Sequence, residues 1–531
     1  MTTPTITPYR SELPAGRDGF GQLLRSEWTK FRTVRGWVVG TVIAVLATVL
    51  IGVLTAKGSM CSVGPFPGQP VGLPCTGTIG VGGGAVSDTF NFVHQPMTGN
   101  GSITVRLTSL TGEIPVGPLR PDAGANERPG LQPWSKAGII IKQNTTEGSA
   151  YAAVLATGAH GIRMQSDFTQ DTAGLAGAVS PTAPRWLRLT RSGDTLTGYD
   201  STDGTHWSTI GSTRLAGLSA TVQAGVFATS PAYVHVVSQS FGGSSGTGGP
   251  TQATGVFDHV ELSGTPPGAG WTDTGLTDVA EPQMGAQNQF HQNGGELTVS
   301  GSGDIAPAVV GGTAAGSPIE TTLGGAFAGL IALIVVGTMF VTAEYRRGLI
   351  RTSLVASPRR GRVLAAKGVV LGGIAFVAAL LGVVIAVPID EHLLRANGNF
   401  IDPAPTVADA RVLIGTAAVL AVAAVFALGV GVILRRSAGV VAVVIAVFVL
   451  PRILATAGVL STGASEWLLR VTPAAGFAIQ QSLPQYSQVD ADYSPAGGYY
   501  PLPPLAGFAV LCGWTALVLG LAFHLLRRRD A

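Results

Sequence analysis

Six nearly uncharged runs of about 20 apolar residues constrain this chain most, because that is the length needed to cross the hydrocarbon core of a bilayer. They occupy 37–56, 323–343, 369–387, 412–434, 438–459 and 505–525, and are rich in Val, Ala, Leu, Ile and Gly. Composition agrees with this reading. Charged residues make up 12% of the 531, against roughly 25% in soluble chains, and mean hydropathy is +0.38. No small-residue cleavage site follows the first run, so it reads as a retained anchor rather than a removed leader.

Arginine and lysine give the orientation, since they collect in cytoplasmic loops. The flank before the first run carries Arg10, Arg17, Arg25, Lys30, Arg32 and Arg35. The connection between the second and third carries Arg346, Arg347, Arg351, Arg359, Arg360, Arg362 and Lys367. Arg435 and Arg436 form the next basic turn, and the tail ends in Arg527, Arg528 and Arg529. Simple alternation puts all four places on one side. The opposite loops hold Asp390, Glu391, Asp402, Asp409, Glu466, Asp490 and Asp492 instead. Both termini are therefore expected in the cytoplasm of a multi-pass plasma-membrane protein, with everything from Lys57 to about Thr322 outside.

That external stretch reads differently. Ser102 to Leu107 and Trp186 to Arg191 alternate polar and apolar, and Ser192-Gly193-Asp194 and Asp203-Gly204 are turns between such runs. Short strands at this spacing predict an all-β sandwich. Cys61 and Cys75 lie just before it. Outside the membrane they either form a disulfide or remain two thiols in a linker; Cys512 lies inside the last apolar run.

Within the insert, Trp134-Ser135-Lys136-Ala137-Gly138-Ile139-Ile140-Ile141-Lys142 resembles the central strand of concanavalin-like, or laminin G-like, jelly rolls. The stretches from Arg185 to Leu189 and from Tyr199 to Trp207, and Phe257-Asp258-His259-Val260-Glu261-Leu262, resemble the later hairpins and closing strand of that family. The resemblance implies a jelly roll, with 271–305 folding back to complete it. Trp134, Tyr199, Asp203 and Trp207 are the candidate ligand contacts, for an extracellular glycan; Trp186 is a further aromatic, and as core residues these rings would fill the space between the sheets. Asp200 and Asp203 invite calcium, but Asp-Gly turns occur commonly without it, and no metal site is expected.

The two ends of the chain carry a second resemblance. Residues 22–37 form an amphipathic helix, with Leu24, Trp28 and Phe31 on one face and Arg25, Lys30 and Arg32 toward the other, suited to the membrane interface; Glu27 lies within it. The loop Glu344-Tyr345-Arg346-Arg347-Gly348, continuing through Arg351 to Arg359, Arg360 and Arg362, is basic and punctuated by Gly and Pro. Together with Thr472-Pro473-Ala474-Ala475-Gly476-Phe477-Ala478, these segments resemble bacterial ABC-2 type permeases. The resemblance implies that the amphipathic helix and the 344–367 loop face an ATPase, with Glu344 and the arginines forming ion pairs to it.

No Gly-x-x-x-x-Gly-Lys-Ser/Thr motif occurs, so ATP and Mg are expected in a separate ATPase subunit, with no cofactor and no catalytic residue in this chain. Homodimers or heterodimers of the permease, membrane lipid and no nucleic acid complete the expected partners. Arg452, after Pro451, is a candidate for the translocation path, or else sits near the outer headgroups. A secondary transporter would need carboxylates at depth in the membrane, and none is apparent beyond boundary positions. The competing class is a membrane-anchored extracellular carbohydrate- or cell-wall-binding protein without transport.

The expected fold is thus mixed: a six-helix transmembrane domain with a large extracellular β-sandwich (jelly roll) between helices 1 and 2. Its divisions are a cytoplasmic N-terminus 1–36, helix 37–56, linker 57–89, β-domain 90–318, and helices 2 to 6 within 319–531. The coupling loop 344–367 and the outer segment 460–504 belong to the last division.

Overall fold

The computed structural model describes residues 19–61, 75–116, 126–239, 243–265, 270–276, 288–310, 316–349 and 359–528. Its helices are α1 (Phe20–Thr33), α2 (Arg35–Gly58), α3 (Ala326–Arg346), α4 (Arg360–Ala396), α5 (Thr406–Leu434), α6 (Ser437–Thr456), α7 (Thr462–Val471) and α8 (Pro504–Arg528). All but α1 and α7 are long and apolar enough to cross a membrane, making six such helices among the described residues; the chain is a multi-pass membrane protein. One of them exceeds the sequence expectation. At 37 residues, α4 is about 55 Å long and runs straight through Pro388, well past the bilayer core.

Close backbone approach builds the bundle. A Cβ on Gly337 would lie 2.4 Å from the Ala424 carbonyl oxygen, so α3 and α5 meet where only a glycine fits. Helix α5 is the hub, packing against α3, α4 and α8, and 11 of its 29 positions are Ala or Gly. Two ends of the bundle are identifiable from contacts alone. At one, the Arg360 guanidinium donates to the Leu526 carbonyl, and Arg435 stacks 4.9 Å from the Tyr345 ring. At the other, Asn397 Nδ2 donates to the Ala56 carbonyl at 3.0 Å.

Between α2 and α3 lies the β-domain, two antiparallel sheets packed face to face. One sheet has the order Ser208–Arg214, Thr195–Ser201, Arg185–Ser192, Gly101–Val116, Gln252–Leu262, Glu296–Gly301, Gln289–Asn293. The other runs Thr272–Leu276, Phe90–Thr98, Thr221–Thr229, Lys136–Lys142, Tyr151–Thr157, Ile162–Ser166, Gln170–Ala173. Period-two alternation supplies the core between them: Val105, Leu107, Leu187 and Leu189 from the first meet Ile139, Ile141, Val154 and Val226 from the second. The strands after Trp271 do join both sheets, at Phe90–Thr98 and at Gln252–Leu262.

The second sheet is covered on its far face as well. Phe90, Phe92, Ile140, Tyr151 and Phe227 pack there against Val86 and Ile305, which belong to a small sheet of Thr78–Ile79, Ala85–Asp88 and Ile305–Pro307. This explains the continuous run Gly138-Ile139-Ile140-Ile141, every residue of which is buried. It also corrects a boundary, because the β-domain begins with the strand Thr78–Ile79 and not at residue 90.

The domain is seated on the bundle at three places. Cys61 and Cys75 are disulfide-bonded, with Cα atoms 5.8 Å apart, and their backbone N–H groups donate to the carbonyls of Asn397 and Gly398. Gly316–Ser317 pairs in parallel with Phe400–Ile401 in the α4–α5 connection. Ala306 and Val309 pack against Val489 and Tyr499 of the segment before α8, and the Tyr499 hydroxyl accepts from Val310 N at 3.0 Å.

Candidate functional site

A buried charge network ties α1 into the bundle. Glu27 Oε2 and Glu344 Oε1 each lie 2.7 Å from Lys367 Nζ, all three residues being 2% exposed. Lys30 Nζ closes the set at 2.8 Å from Glu27 Oε1 and 3.4 Å from Glu344 Oε1. Two acids and two bases balance, which is the condition for charges to stay buried. The Lys367 ammonium also lies 4.8 Å from the Phe340 ring centroid, itself edge-on to Trp37 at 4.9 Å and beside Phe31 at 5.7 Å. One side chain from α4 therefore binds α1 to the end of α3.

This arrangement corrects two expectations. Glu344 is spent inside the chain and has no surface to offer a partner. Trp28 does not share the inward face with Phe31, for it is 50% exposed while Phe31 is buried; the inward face runs through Glu27 and Phe31, one helical turn apart. Arg25 and Arg32 are exposed. Lys367, the centre of the network, reads in sequence only as one more topology charge.

Around the network stands a basic rim. Arg346, Arg347, Gly348, Arg359 and Arg362 are exposed, Arg360 is engaged with the Leu526 carbonyl, and Tyr345 packs beneath Arg435. Arg351 lies outside the described residues.

Toward the opposite end, α6 continues through Pro451 to Thr456, so the proline does not terminate it. Arg452 consequently turns inward: its guanidinium sits 4.2 Å from the Phe327 ring and 4.9 Å from the Phe477 ring. Gln480 Oε1 lies 3.5 Å from it, and Gln480 Nε2 donates to Thr416 Oγ1 at 3.1 Å. Arg452 therefore links α6, α3 and the 3-10 turn Pro473–Gln480.

Asp390, expected in an outer loop, belongs to a helix instead. Because α4 extends past Pro388, Asp390 lies within it, 1% exposed, with neither carboxylate oxygen partnered among the described residues. It abuts Gly52, where a Cβ would come within 2.3 Å of Oδ2. Nearby in sequence, Asp402 is also buried, and loss of hydration with the charge of Glu320 pushes its carboxyl up to about 6.

The candidate ligand residues of the β-domain separate into two places. Trp134 is buried and stacks on His160 at 4.2 Å, a packing role. Tyr199 stands opposite Arg188 in register, on the sheet face turned away from the core, and the Arg188 guanidinium lies 3.9 Å from the Trp207 ring. Trp186 is on that face too, T-shaped to His259 at 5.3 Å. Asp203 caps its own turn, accepting from the backbone N–H groups of His206 and Thr205 at 2.8 Å. These bonds hold its carboxyl far below the usual range. Asp200 points elsewhere, accepting from Leu175 N at 2.6 Å, so the two carboxylates do not converge.

No protein-family model matches the chain, and no curated protein matches it. Among solved structures, a functionally unknown protein from Saccharomyces cerevisiae is 13% identical over 37% of this chain and 85% of that one, with a TM-score of 0.21. Scytalido-glutamic peptidase is 9% identical over 40% of this chain and 98% of the other, TM-score 0.24. The GH43 protein BlXynB from Bacillus licheniformis is 19% identical over 24% of each chain, TM-score 0.17. Likeness this slight carries no argument about function.

Proposed function

We propose that the chain is the membrane-spanning permease subunit of an ABC exporter, coupled to ATP hydrolysis by a separate ATPase subunit. In this reading the basic rim faces the cytoplasm with both termini, and the β-domain is extracellular. The observation that carries it is the junction of α1, α3 and α4 through Lys367, placed beside exposed Arg346, Arg347, Arg359 and Arg362. A partner bearing carboxylates would pair with that rim. A push on the rim reaches three helix ends together, because separating them exposes unpaired charge in a dry site. ATP and Mg belong to the partner, and the permease works as a homodimer or heterodimer. Arg452 and its two phenylalanines then stand near the exit, where an opening would part α6 from α3.

The test is co-purification of the chain with an ATPase subunit, followed by Arg346→Glu with Arg347→Glu. Loss of the complex without loss of folding supports the reading; an unchanged complex and unchanged ATPase coupling contradict it. Glu344→Ala is the wrong probe, since it disrupts the bundle itself.

A second reading, a membrane-anchored glycan-binding protein without transport, draws on the half-buried Arg188–Trp207 stack beside Trp186 and Tyr199. Aromatic faces of this kind suit sugar rings. Retention on cell-wall glycan that is lost in Trp207→Ala, with no ATPase association, would favour it.

A further inference from the structure

Lys142 and Asp88 form an unusual pair for a surface domain. Both side chains are fully buried, with Nζ and Oδ2 at 2.5 Å. Lys142 ends the central strand Lys136–Lys142, and Asp88 ends Ala85–Asp88, the strand that crosses the sheet's far face. Around them lie Phe90, Phe92, Tyr151 and Phe168, an aromatic, water-poor setting. The carboxylate is only half satisfied: Oδ2 accepts from Lys142 Nζ and from Gly148 N at 2.7 Å, while buried Oδ1 has no partner among the described residues. The remaining contact of the Lys142 ammonium is the Ser149 carbonyl at 3.2 Å. As an ion pair this is a poor arrangement, because desolvation is repaid only when every lone pair and proton is bonded.

We propose that Lys142 and Asp88 condense to an intramolecular amide, Nζ to Cγ, making this a self-modification site. The step balances: an ammonium and a carboxylate give one amide and one water. A proton first passes from Nζ to the carboxyl. The amine then attacks Cγ, and the oxyanion on Oδ2 is held by the Gly148 N–H. The second proton leaves nitrogen for Oδ1, which departs as water.

The surroundings favour the reactive forms. Burial pushes the Asp88 carboxyl up and the Lys142 ammonium down, in each case against the attraction of the partner. Glu147 and Asp167 are the other carboxyls whose charge acts on Lys142. Glu147 is engaged by Thr78 Oγ1 at 2.7 Å, and Asp167, whose carboxyl burial pushes up, accepts from Tyr151 N at 3.4 Å. The amide would fasten the strand leading from the membrane to the strand at the heart of the domain.

The nearby Lys136–Asp304 pair, at 2.6 Å, serves as an internal reference. Its carboxylate is half satisfied in the same way, Oδ1 accepting from Lys136 Nζ and from Ile305 N at 2.8 Å while buried Oδ2 has no partner among the described residues; the difference lies in the ammonium, whose second acceptor, the Ile305 carbonyl, is at 2.7 Å against 3.2 Å for Lys142. With its ammonium held by two short bonds, this pair is expected to stay ionic.

The experiment is peptide mapping by mass spectrometry of the full chain, purified from membranes in detergent. The expected product is a branched species joining the Asp88 and Lys142 peptides, lighter than their sum by one water, and absent from Lys142→Arg. Asp88→Asn should reach the same product mass by losing ammonia. Full-mass, separate peptides from the wild-type chain overturn the proposal, as does a branch at Lys136 and Asp304 in place of this one. The wild-type map decides alone if a variant does not fold.

Discussion

The ammonium of Lys367 lies 2.7 Å from a carboxylate oxygen of Glu344 and equally close to one of Glu27, residues 23 and 340 positions away in the chain. A lysine counted in sequence as a topology marker thus fastens the amphipathic helix α1 to α3 and α4. Removing it leaves two carboxylates buried with only Lys30 between them.

Lys367→Met is accordingly expected to destabilise the detergent-solubilised chain by about 3–5 kcal/mol, the scale for breaking a buried ion pair. Adding Glu344→Gln should restore part of that loss, giving a coupling of at least about 1 kcal/mol in a double-mutant cycle of unfolding. Additive effects would contradict the network.

Asp402 provides a pH signature. Its folded carboxyl titrates near 6, above the roughly 3.9 of an unfolded chain, so the folded state binds the extra proton between these values. Its destabilising effect is therefore absent below about pH 4, grows through the window and is complete above it. Asp402→Asn should raise the melting temperature at about pH 8, with the gain vanishing toward about pH 4. An equal gain at both would contradict the assignment.

Legibility in sequence followed the strength of the pattern. The spans were readable because a bilayer demands uninterrupted apolar length, and the strands because alternation survives wherever one face is wet. The strand Lys136–Lys142 reads as a run because both its faces are dry, and nothing local reveals that its two lysines find Asp88 and Asp304 far along the chain. The same holds for Lys367 and Glu344: partners on separate helices leave no periodic trace. Asp390 reads as a loop residue because the third apolar run stops at 387, whereas α4 carries Pro388 without ending.

The disulfide gives a countable outcome. With Cys61 and Cys75 bridged, only Cys512 is a free thiol, so the unfolded, unreduced chain should take up one maleimide, and three after reduction. Cys61→Ser should cost about 3 kcal/mol, loosening the β-domain from the α4–α5 connection. Three labels before reduction would exclude the bridge.

Trp134 and Trp207 should separate by effect. Trp134→Ala opens a cavity under the His160 stack and is expected to destabilise the β-domain by about 3–5 kcal/mol. Trp207→Ala removes a half-buried stack on Arg188 outside the core and should cost about 1 kcal/mol. Calorimetric unfolding of both variants checks this; the reverse order would place the wrong tryptophan in the core.

The sidedness of the bundle underlies the proposed role, and it is tested by introducing single cysteines into a Cys512→Ser background in intact cells. Asp203→Cys should react with a membrane-impermeant maleimide at once, and Arg347→Cys only after the cells are opened. Reaction of Arg347→Cys in sealed cells, or protection of Asp203→Cys, would place the basic rim outside and remove the basis for an ATPase docking there.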